Sequence, residues 1–362
     1  MGSAVLLAPA FPEYCWNYAN ALAERMPVTL FCNRVLFQSE VGEAGAINGR
    51  VQLRLVEYGT PGTILRVLRE VVRLRPDFVH FQEATGRRAA AVNAVLTMLL
   101  KGRTRTVLTV HDPKPHSGND SPIAAKTWPL RNAVRQRADV AVLHGAFCSA
   151  LYDSMGRPAS QQLLTSVHGT ILGPSSAQRL APSPGQFLFF GRMEAYKGLD
   201  VLASSLELLR SRGRLLRVIV AGSGPELQRL GPRLSASGAE IIDKYLSRDE
   251  TIELMQRSEA VLVPYKDATQ SGVVAAAFAN GRTVIASRVG GLSDAVVDGL
   301  NGILIEPNAP EALAQAMLTL ADAPARAAAL RAGAEAAAAG ALNWNTIVEN
   351  LLSDLRVLPT GR

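Results

Sequence analysis

The chain is poor in the residues that build stapled or metal-held folds. Its three cysteines, Cys15, Cys32 and Cys148, are odd in number, widely spaced and outside any CxxC pair. That argues against a disulfide framework or a zinc site and fits a reducing compartment. Of the five histidines, His80, His111, His116, His144 and His168, no two have the close spacing of a metal site. No DxD triplet occurs. No nucleic-acid module or aromatic-basic stacking platform is present, so nucleic acid is not an expected partner. Long apolar runs are missing too. The longest helical one, Ala89 to Leu100, stops at Lys101, well short of the roughly 20 residues a membrane span needs. Met1 to Pro9 has no basic leader and reads as a buried strand rather than a signal peptide. The expectation is a soluble, cytoplasmic protein whose membrane contact, if it has one, is peripheral and on the inner face of the plasma membrane.

What the chain does have is positive charge, unevenly placed. Residues 1–172 carry 19 Lys+Arg against 12 Asp+Glu, while residues 173–362 carry 19 of each. The excess clusters at Arg66, Arg69, Arg73 and Arg75, at Arg87 and Arg88, at Lys101, Arg103 and Arg105, and at Arg131, Arg135 and Arg137. Such a half can face anionic lipid or an anionic substrate, or be a solvated basic face; the sequence leaves these open.

Short aliphatic runs alternate with helical-period segments throughout. Strands are expected at 4–8, 28–32, 51–56, 78–81, 106–110, 140–143 and 163–167 in the first half. In the second half they are expected at 187–190, 216–221, 240–242, 260–263, 283–286 and 302–305. Continuous apolar strands alternating with helices mean parallel sheets covered on both faces. The proline-rich stretch 173–185 is the expected linker. It divides an N-terminal α/β domain (1–172) from a second one (186–340), which is followed by a C-terminal helical segment (341–362).

Chemistry concentrates in the second half. In FLFFGRMEAYKGLD a buried strand ends at Gly191, and Arg192 and Lys197 flank the turn into a helix. Two cations beyond a strand's carboxyl end suit a diphosphate, since Arg offers a planar fork and Lys a point charge. In VPYKDATQSGVV the strand 260–263 leads through Asp267 to a helix start near Ser271. The amides of Gln270, Ser271, Gly272 and Val273 are free there to meet an anion. Further glycine turns follow at Gly222-Ser223-Gly224 and at Gly290-Gly291. One glycine turn is weak evidence; four after successive strands are specific.

With these motifs residues 187–320 resemble glycosyltransferase family 4. The marks are FFGRMEAYKGLD, VIVAGSGPEL, VPYKDATQSGV, ANGRTVIAS and VGGLSDAVVDGLNGILI, and ATQSGV looks like the branch common in bacterial polysaccharide biosynthesis. The resemblance implies the GT-B fold, two Rossmann-like doubly wound domains facing a cleft. It implies a nucleoside diphosphate sugar donor and a glycan or lipid-linked glycan acceptor, with retention of configuration. Arg192 and Lys197 would act on the donor phosphates, and Gly191, Gly222, Asp267, Gln270, Ser271, Gly272, Val273, Gly290 and Gly291 would line the donor site. The absence of DxD agrees with a mechanism that needs no metal or other cofactor. His111, in Thr109-Val110-His111-Asp112-Pro113, resembles the family's active-site histidine.

Two departures stand out. The family's pair of glutamates eight positions apart falls near Asp267 and on Ala276, so the acidic residue that binds the donor ribose is missing. That supplies the competing expectation of a non-catalytic GT-B homologue acting as a partner or scaffold. The glycine-rich turn after the first strand is replaced by Ala8-Pro9-Ala10-Phe11-Pro12. This also argues against a nicotinamide-dependent oxidoreductase, which would need GxGxxG there. His80 reads as core, Gln82 and Glu83 as residues that could reach an acceptor, and Trp16 and Tyr18 as core more than sugar platform.

Overall fold

The computed structural model describes residues 2–42, 48–114, 121–174 and 180–356. His116 and part of the linker stretch, 175–179, lie outside the described residues. The chain forms two compact units and passes between them at Gly169/Thr170 and again at Asn343/Trp344.

The first unit is a seven-stranded sheet in the order β3-β2-β1-β4-β5-β6-β7, every pair parallel. Its strands are β1 (Ala4–Ala8), β2 (Val28–Asn33), β3 (Val51–Val56), β4 (Phe78–Gln82), β5 (Arg105–Val110), β6 (Val140–His144) and β7 (Gln162–Ser166). The connecting helices are α1 (Pro12–Ala23), α2 (Arg34–Glu40), α3 (Pro61–Leu74), α4 (Arg87–Leu100), α5 (Ser121–Arg135) and α6 (Gly145–Ser154). β1, β4 and β6 are buried at every position, as a sheet covered on both faces requires. One layer packs under α1, the other under α3 and α4.

The second unit has six parallel strands in the order β10-β9-β8-β11-β12-β13. They are β8 (Gln186–Phe190), β9 (Arg217–Ala221), β10 (Glu240–Ile242), β11 (Ala260–Val263), β12 (Thr283–Ser287) and β13 (Gly302–Ile305). Its helices are α7 (Leu199–Ser211), α8 (Pro225–Ala236), α9 (Arg248–Arg257), α10 (Gly272–Ala279), α11 (Leu292–Ala295), α12 (Pro310–Asp322) and α13 (Pro324–Ala339). The last helix, α14 (Trp344–Arg356), belongs to the first unit. There Trp344, Ile347, Val348, Leu351, Leu352 and Leu355 join the layer under α1.

All thirteen strands stand where the apolar runs place them, with ends moved by no more than a residue. In both sheets the strand order reverses once, between β1 and β4 and between β8 and β11. Loops diverge at such a switch point, which leaves a crevice at the carboxyl ends of the strands. No helix among the described residues is long and apolar enough to cross a membrane.

Candidate functional site

In the second unit the predicted donor residues fall around the β8/β11 switch point. Gly191 follows β8 with φ 116°, and a Cβ there would lie 2.6 Å from Lys197 Nζ. The missing side chain is what admits the lysine. Lys197 ends a single 3-10 turn (Ala195–Lys197) and is 6% exposed. Its ammonium lies 5.2 Å from the centroid of the Tyr265 ring. No carboxylate among the described residues pairs with it. Burial, with Arg192 adding repulsion and Tyr196 and Glu194 offsetting it only in part, pushes the Lys197 pKa below the usual lysine range. A buried ammonium without a counter-charge is costly, and an anion beside it removes that cost. Arg192 is exposed at the surface of the same turn.

Beyond β11 the chain runs through Tyr265 to Ser271, the N-cap of α10. The Ser271 hydroxyl accepts weakly from the Val274 amide at 3.4 Å. The helix therefore begins at Gly272, and the amides of Gly272 and Val273 have no intrahelical acceptor. Tyr265 is 4% exposed, and burial holds its hydroxyl well above the ordinary phenol range. Asp267 is exposed, whereas Gln270, Ser271, Gly272 and Val273 are half-buried. The Gln270 Oε1 and Ser287 Oγ atoms are buried without a hydrogen-bond partner among the described residues.

Two of these glycines have a structural reason of their own. A Cβ on Gly222 (φ 134°) would lie 2.1 Å from the Gly191 carbonyl oxygen, and one on Gly291 would lie 2.1 Å from that of Thr269. The turns after β8 and β9, and those after β11 and β12, touch backbone to backbone. These glycines make that contact and need no ligand to explain them. Gly290 supplies a left-handed φ of 49°. Gly272 has an ordinary φ, and its Cβ would meet only the end of the Ile171 side chain, at 3.1 Å. Ala276 is 1% exposed within α10, so this position is closed by packing.

In the first unit His111 follows β5 directly and is 2% exposed. Its Nε2 lies 2.8 Å from Gln82 Oε1, while its Nδ1 is buried with no hydrogen-bond partner among the described residues. Around it sit Phe11 (ring centroids 4.1 Å apart), Tyr14 (5.0 Å) and His144 (5.2 Å). Tyr14 Oη is 3.0 Å from His144 Nε2, and His144 in turn lies 5.3 Å from His168. Burial, and secondarily His168, His80 and Arg131, drives the His111 pKa far below the usual imidazole value. His111 is therefore neutral at physiological pH.

Several expectations for this unit need correction. Glu83 does not reach outward; it is 4% exposed and held by Arg135 and Arg131. These two arginines consequently leave the surface basic face, Arg135 being only 2% exposed. Gln82 is likewise buried and committed to His111. His80 is core, bonded through Nδ1 to Tyr18 Oη at 3.1 Å and through Nε2 to Thr109 Oγ1 at 2.7 Å. Trp16 and Tyr18 are core as well, so these three residues stand as the sequence suggests. In the second unit, sequence reasoning did not single out Tyr265 beside Lys197, and its place two residues beyond the buried strand β11 was the available signal.

The comparisons with known proteins bear on both units. Models described as Glycosyltransferase Family 4 and as Glycosyl transferases group 1 match residues 13–183 and 184–323. A D-inositol 3-phosphate glycosyltransferase from Catenulispora acidiphila is 33% identical over 181 residues, 47% of this chain and 43% of the relative. A glycogen synthase from Mycobacterium tuberculosis is 27% identical over 177 residues, 48% of this chain and 43% of the relative. The matched segments thus span less than half the length of these curated relatives. Among solved structures, sucrose-phosphate synthase from Thermosynechococcus elongatus superposes with a TM-score of 0.74 at 16% identity, covering 98% of both chains. The Anabaena protein HepE in complex with UDP superposes with a TM-score of 0.70 at 16% identity, covering 99% of this chain and 100% of HepE. Two parallel Rossmann-like sheets and family models that tile residues 13–323 place the chain in glycosyltransferase family 4, with the GT-B fold.

Proposed function

We propose that this protein is a retaining glycosyltransferase. It moves a sugar from a nucleoside diphosphate sugar to a glycan or lipid-linked glycan, as in cell-surface polysaccharide biosynthesis, without a metal ion. The observation that carries the reading is Lys197, a buried ammonium with no ion-pair partner among the described residues, set against the glycine turn of Gly191. A diphosphate supplies the missing counter-charge. Arg192 adds a guanidinium fork, and the Gly272 and Val273 amides add the positive end of α10. Fixed cations and amides stabilise a departing nucleoside diphosphate without reorganising, which is where much of the rate enhancement in such transfers lies. Gln270 Oε1 and Ser287 Oγ, buried and unpartnered, are suited to donor hydroxyls, and so offer a polar contact that Ala276 does not. His111 serves the transferred sugar. The structures of HepE with UDP and with UDP-glucose show what a protein of this fold can bind, and they favour uridine nucleotides as the first donors to try.

The proposal extends to a peripheral membrane contact through the first unit. Beside the edge strand β3 a recess of about 590 Å³ is lined by Arg34, Arg54, Arg66 and Arg69 with Glu70 as its one acidic residue. Arg66 and Arg69 have no hydrogen-bond or ion-pair partner among the described residues, and Leu65 and Val72 on the same helix are 50% and 76% exposed. Arginines beside exposed aliphatics suit an anionic lipid surface.

The test is a thermal-shift titration with nucleoside diphosphates, followed by assay of nucleoside diphosphate release from nucleotide sugars with and without lipid-linked acceptors. The wild type should be stabilised and Lys197→Ala should not. Stabilisation by no nucleotide at all would favour the scaffold reading that Ala276 suggests.

A further inference from the structure

The loop that carries His111 is held by a buried charge cluster that the family resemblance does not mention. Glu83, immediately after β4, accepts Arg135 Nε at 2.6 Å and Nη2 at 3.0 Å, one on each carboxylate oxygen. Arg135 then donates Nη1 to the Pro113 carbonyl and Nη2 to the Asp112 carbonyl, both at 2.9 Å. Arg131 adds a bond to Glu83 at 2.5 Å and a longer one to the Asp112 carbonyl at 3.4 Å. The Arg135 guanidinium also lies against the rings of Trp128 (4.9 Å) and Tyr152 (5.7 Å). The two peptide carbonyls that follow His111 are therefore pinned to guanidinium groups that cannot move without breaking a fork to a buried carboxylate. One residue before Glu83, Gln82 presents Oε1 to His111 Nε2 at 2.8 Å. Strand β4 thus supplies, at adjacent positions, the imidazole's partner and the anchor of its backbone.

We propose that Gln82, Glu83, Arg131 and Arg135 are positioning residues that hold His111 in one place and one tautomer, with Nε2–H donating to Gln82 and Nδ1 kept as an open acceptor. The sugar group that Nδ1 meets is then a hydroxyl, which donates, and not a phosphate oxygen, which cannot. An imidazole with the opposite tautomer would offer Nδ1–H and recognise an acceptor instead. The cluster also sets charge. Two guanidinium groups against one carboxylate leave it positive. The other titratable groups around His111, namely His144, His168, His80 and Tyr14, are neutral by burial, while Asp112 is the acidic neighbour in the loop. A second proton on His111 is disfavoured from every side except Asp112.

This inference rests on the reading that His111 serves the transferred sugar, and its test separates the two. Imidazole ¹⁵N shifts of the full chain, recorded across pH 5 to 9, should show His111 as the Nε2–H tautomer throughout. Gln82→Met should give a mixture of tautomers, and Gln82→Glu should restore Nε2–H. Arg131→Met, which keeps the Arg135–Glu83 fork, should raise the pH at which His111 titrates. Both Met variants should lower kcat roughly tenfold to a hundredfold, since small misplacements at a reacting centre cost on that scale. The Kd for the nucleoside diphosphate should stay unchanged. Glu83→Gln is the harsher variant, because it leaves two buried guanidinium groups facing a neutral amide; the Met variants keep the question answerable if it does not fold. An Nδ1–H tautomer in the wild type, or a tautomer and kcat indifferent to both Met variants, overturns the assignment. A wild type that transfers no sugar while the tautomer responds as described would sink the enzyme reading and leave the positioning role standing.

Discussion

Phe11 lays its ring on His111, centroids 4.1 Å apart and planes at 36°, from a backbone held in the left-handed region at φ 54° and ψ 52°. The glycine-rich turn that the family carries after its first strand is absent here, yet a left-handed residue remains in that loop, at the entrance to α1. A β-carbon in this region costs about 1–2 kcal/mol, and the contact with His111 is a physical reason to bear it. Phe11→Gly should relieve the strain and lose the ring. Burying a comparable side chain is worth about 1.5–3 kcal/mol when complete, and Phe11 is only half-buried. The two effects nearly cancel, so the melting temperature should move little while turnover falls. Phe11→Ala keeps the strain and loses the ring, and should be less stable than both. Calorimetry beside a turnover assay checks this; a Gly variant with full activity would show that the ring contact is idle.

Lys197→Met should remove the binding of nucleoside diphosphate and, without ligand, leave the protein at least as stable as the wild type. The sign follows from the depressed pKa. The unfolded chain keeps its lysine proton up to the ordinary value near 10.4. The folded state gives it up earlier, so the wild type gains stability as pH rises through the interval between the two values. At neutral pH both states are charged and the cost of the buried ammonium is fully present. Denaturant midpoints from pH 7 to 10.5 should climb more steeply for the wild type than for the variant. A wild-type curve that runs parallel to that of Lys197→Met would mean that the ammonium is solvated.

The architecture was open to reading because parallel strands buried on both faces are written as unbroken apolar runs, for example Ala4–Ala8 and Ala260–Val263. The place of the candidate donor turn was legible for a related reason: glycines and cations directly after such runs fall at the carboxyl ends of strands. The inner scaffold of His111 was not. Glu83 and Arg135 are 52 positions apart, and nothing in either local sequence distinguishes a buried fork from a solvated face. The same blindness assigned Arg131 and Arg135 to the surface charge. At Gly222 and Gly291 the backbone contact could not be told from a ligand contact in the sequence, because both impose the same demand on a residue.

Acid should destabilise this protein through histidines that fold without a proton. Burial lowers the His80 pKa to about 3, and those of His111 and His144 also lie well below the ordinary value. The unfolded chain binds these protons below about pH 6.5 and the folded state does not. Stability is therefore complete above about pH 6.5 and is lost as pH falls from there towards the folded values. Each histidine contributes at most about 1.4 kcal/mol per pH unit. His80→Gln should reduce the slope of unfolding free energy between pH 6 and pH 4 by close to one proton. An unchanged slope would show that His80 is protonated in the folded state.

If the arginine recess beside β3 meets a membrane, Arg66→Glu with Arg69→Glu should abolish association with vesicles containing phosphatidylglycerol and leave nucleotide binding intact. Each well-placed cation near an anionic surface is worth about 1 kcal/mol, so reversing two should weaken binding by several orders of magnitude at low salt. The wild type should bind phosphatidylcholine vesicles poorly and lose the anionic ones as salt rises. Equal binding to both lipids, or binding insensitive to salt, would take the recess out of consideration.

Replacing two glycines with alanine distinguishes a cradle from a backbone contact. Gly222→Ala places a methyl group 2.1 Å from a carbonyl oxygen at φ 134°, a clash between main chains that no side-chain rotation relieves. It should destabilise the second unit by about 3 kcal/mol or more, in the range of the most damaging single substitutions. Nucleotide affinity should fall only because the fold is lost. Gly272→Ala has an ordinary φ and meets only the tip of Ile171, at the first position of a helix where alanine is the better helix former. Its melting temperature should hold or rise. If a diphosphate lies against the Gly272 and Val273 amides, the new methyl group stands in its path, and affinity should drop while stability does not. Melting curves and nucleotide titrations of the two variants decide the matter. A Gly272→Ala protein that binds nucleoside diphosphate as the wild type does would move the phosphates away from the α10 amides and leave Lys197 and Arg192 as their hold.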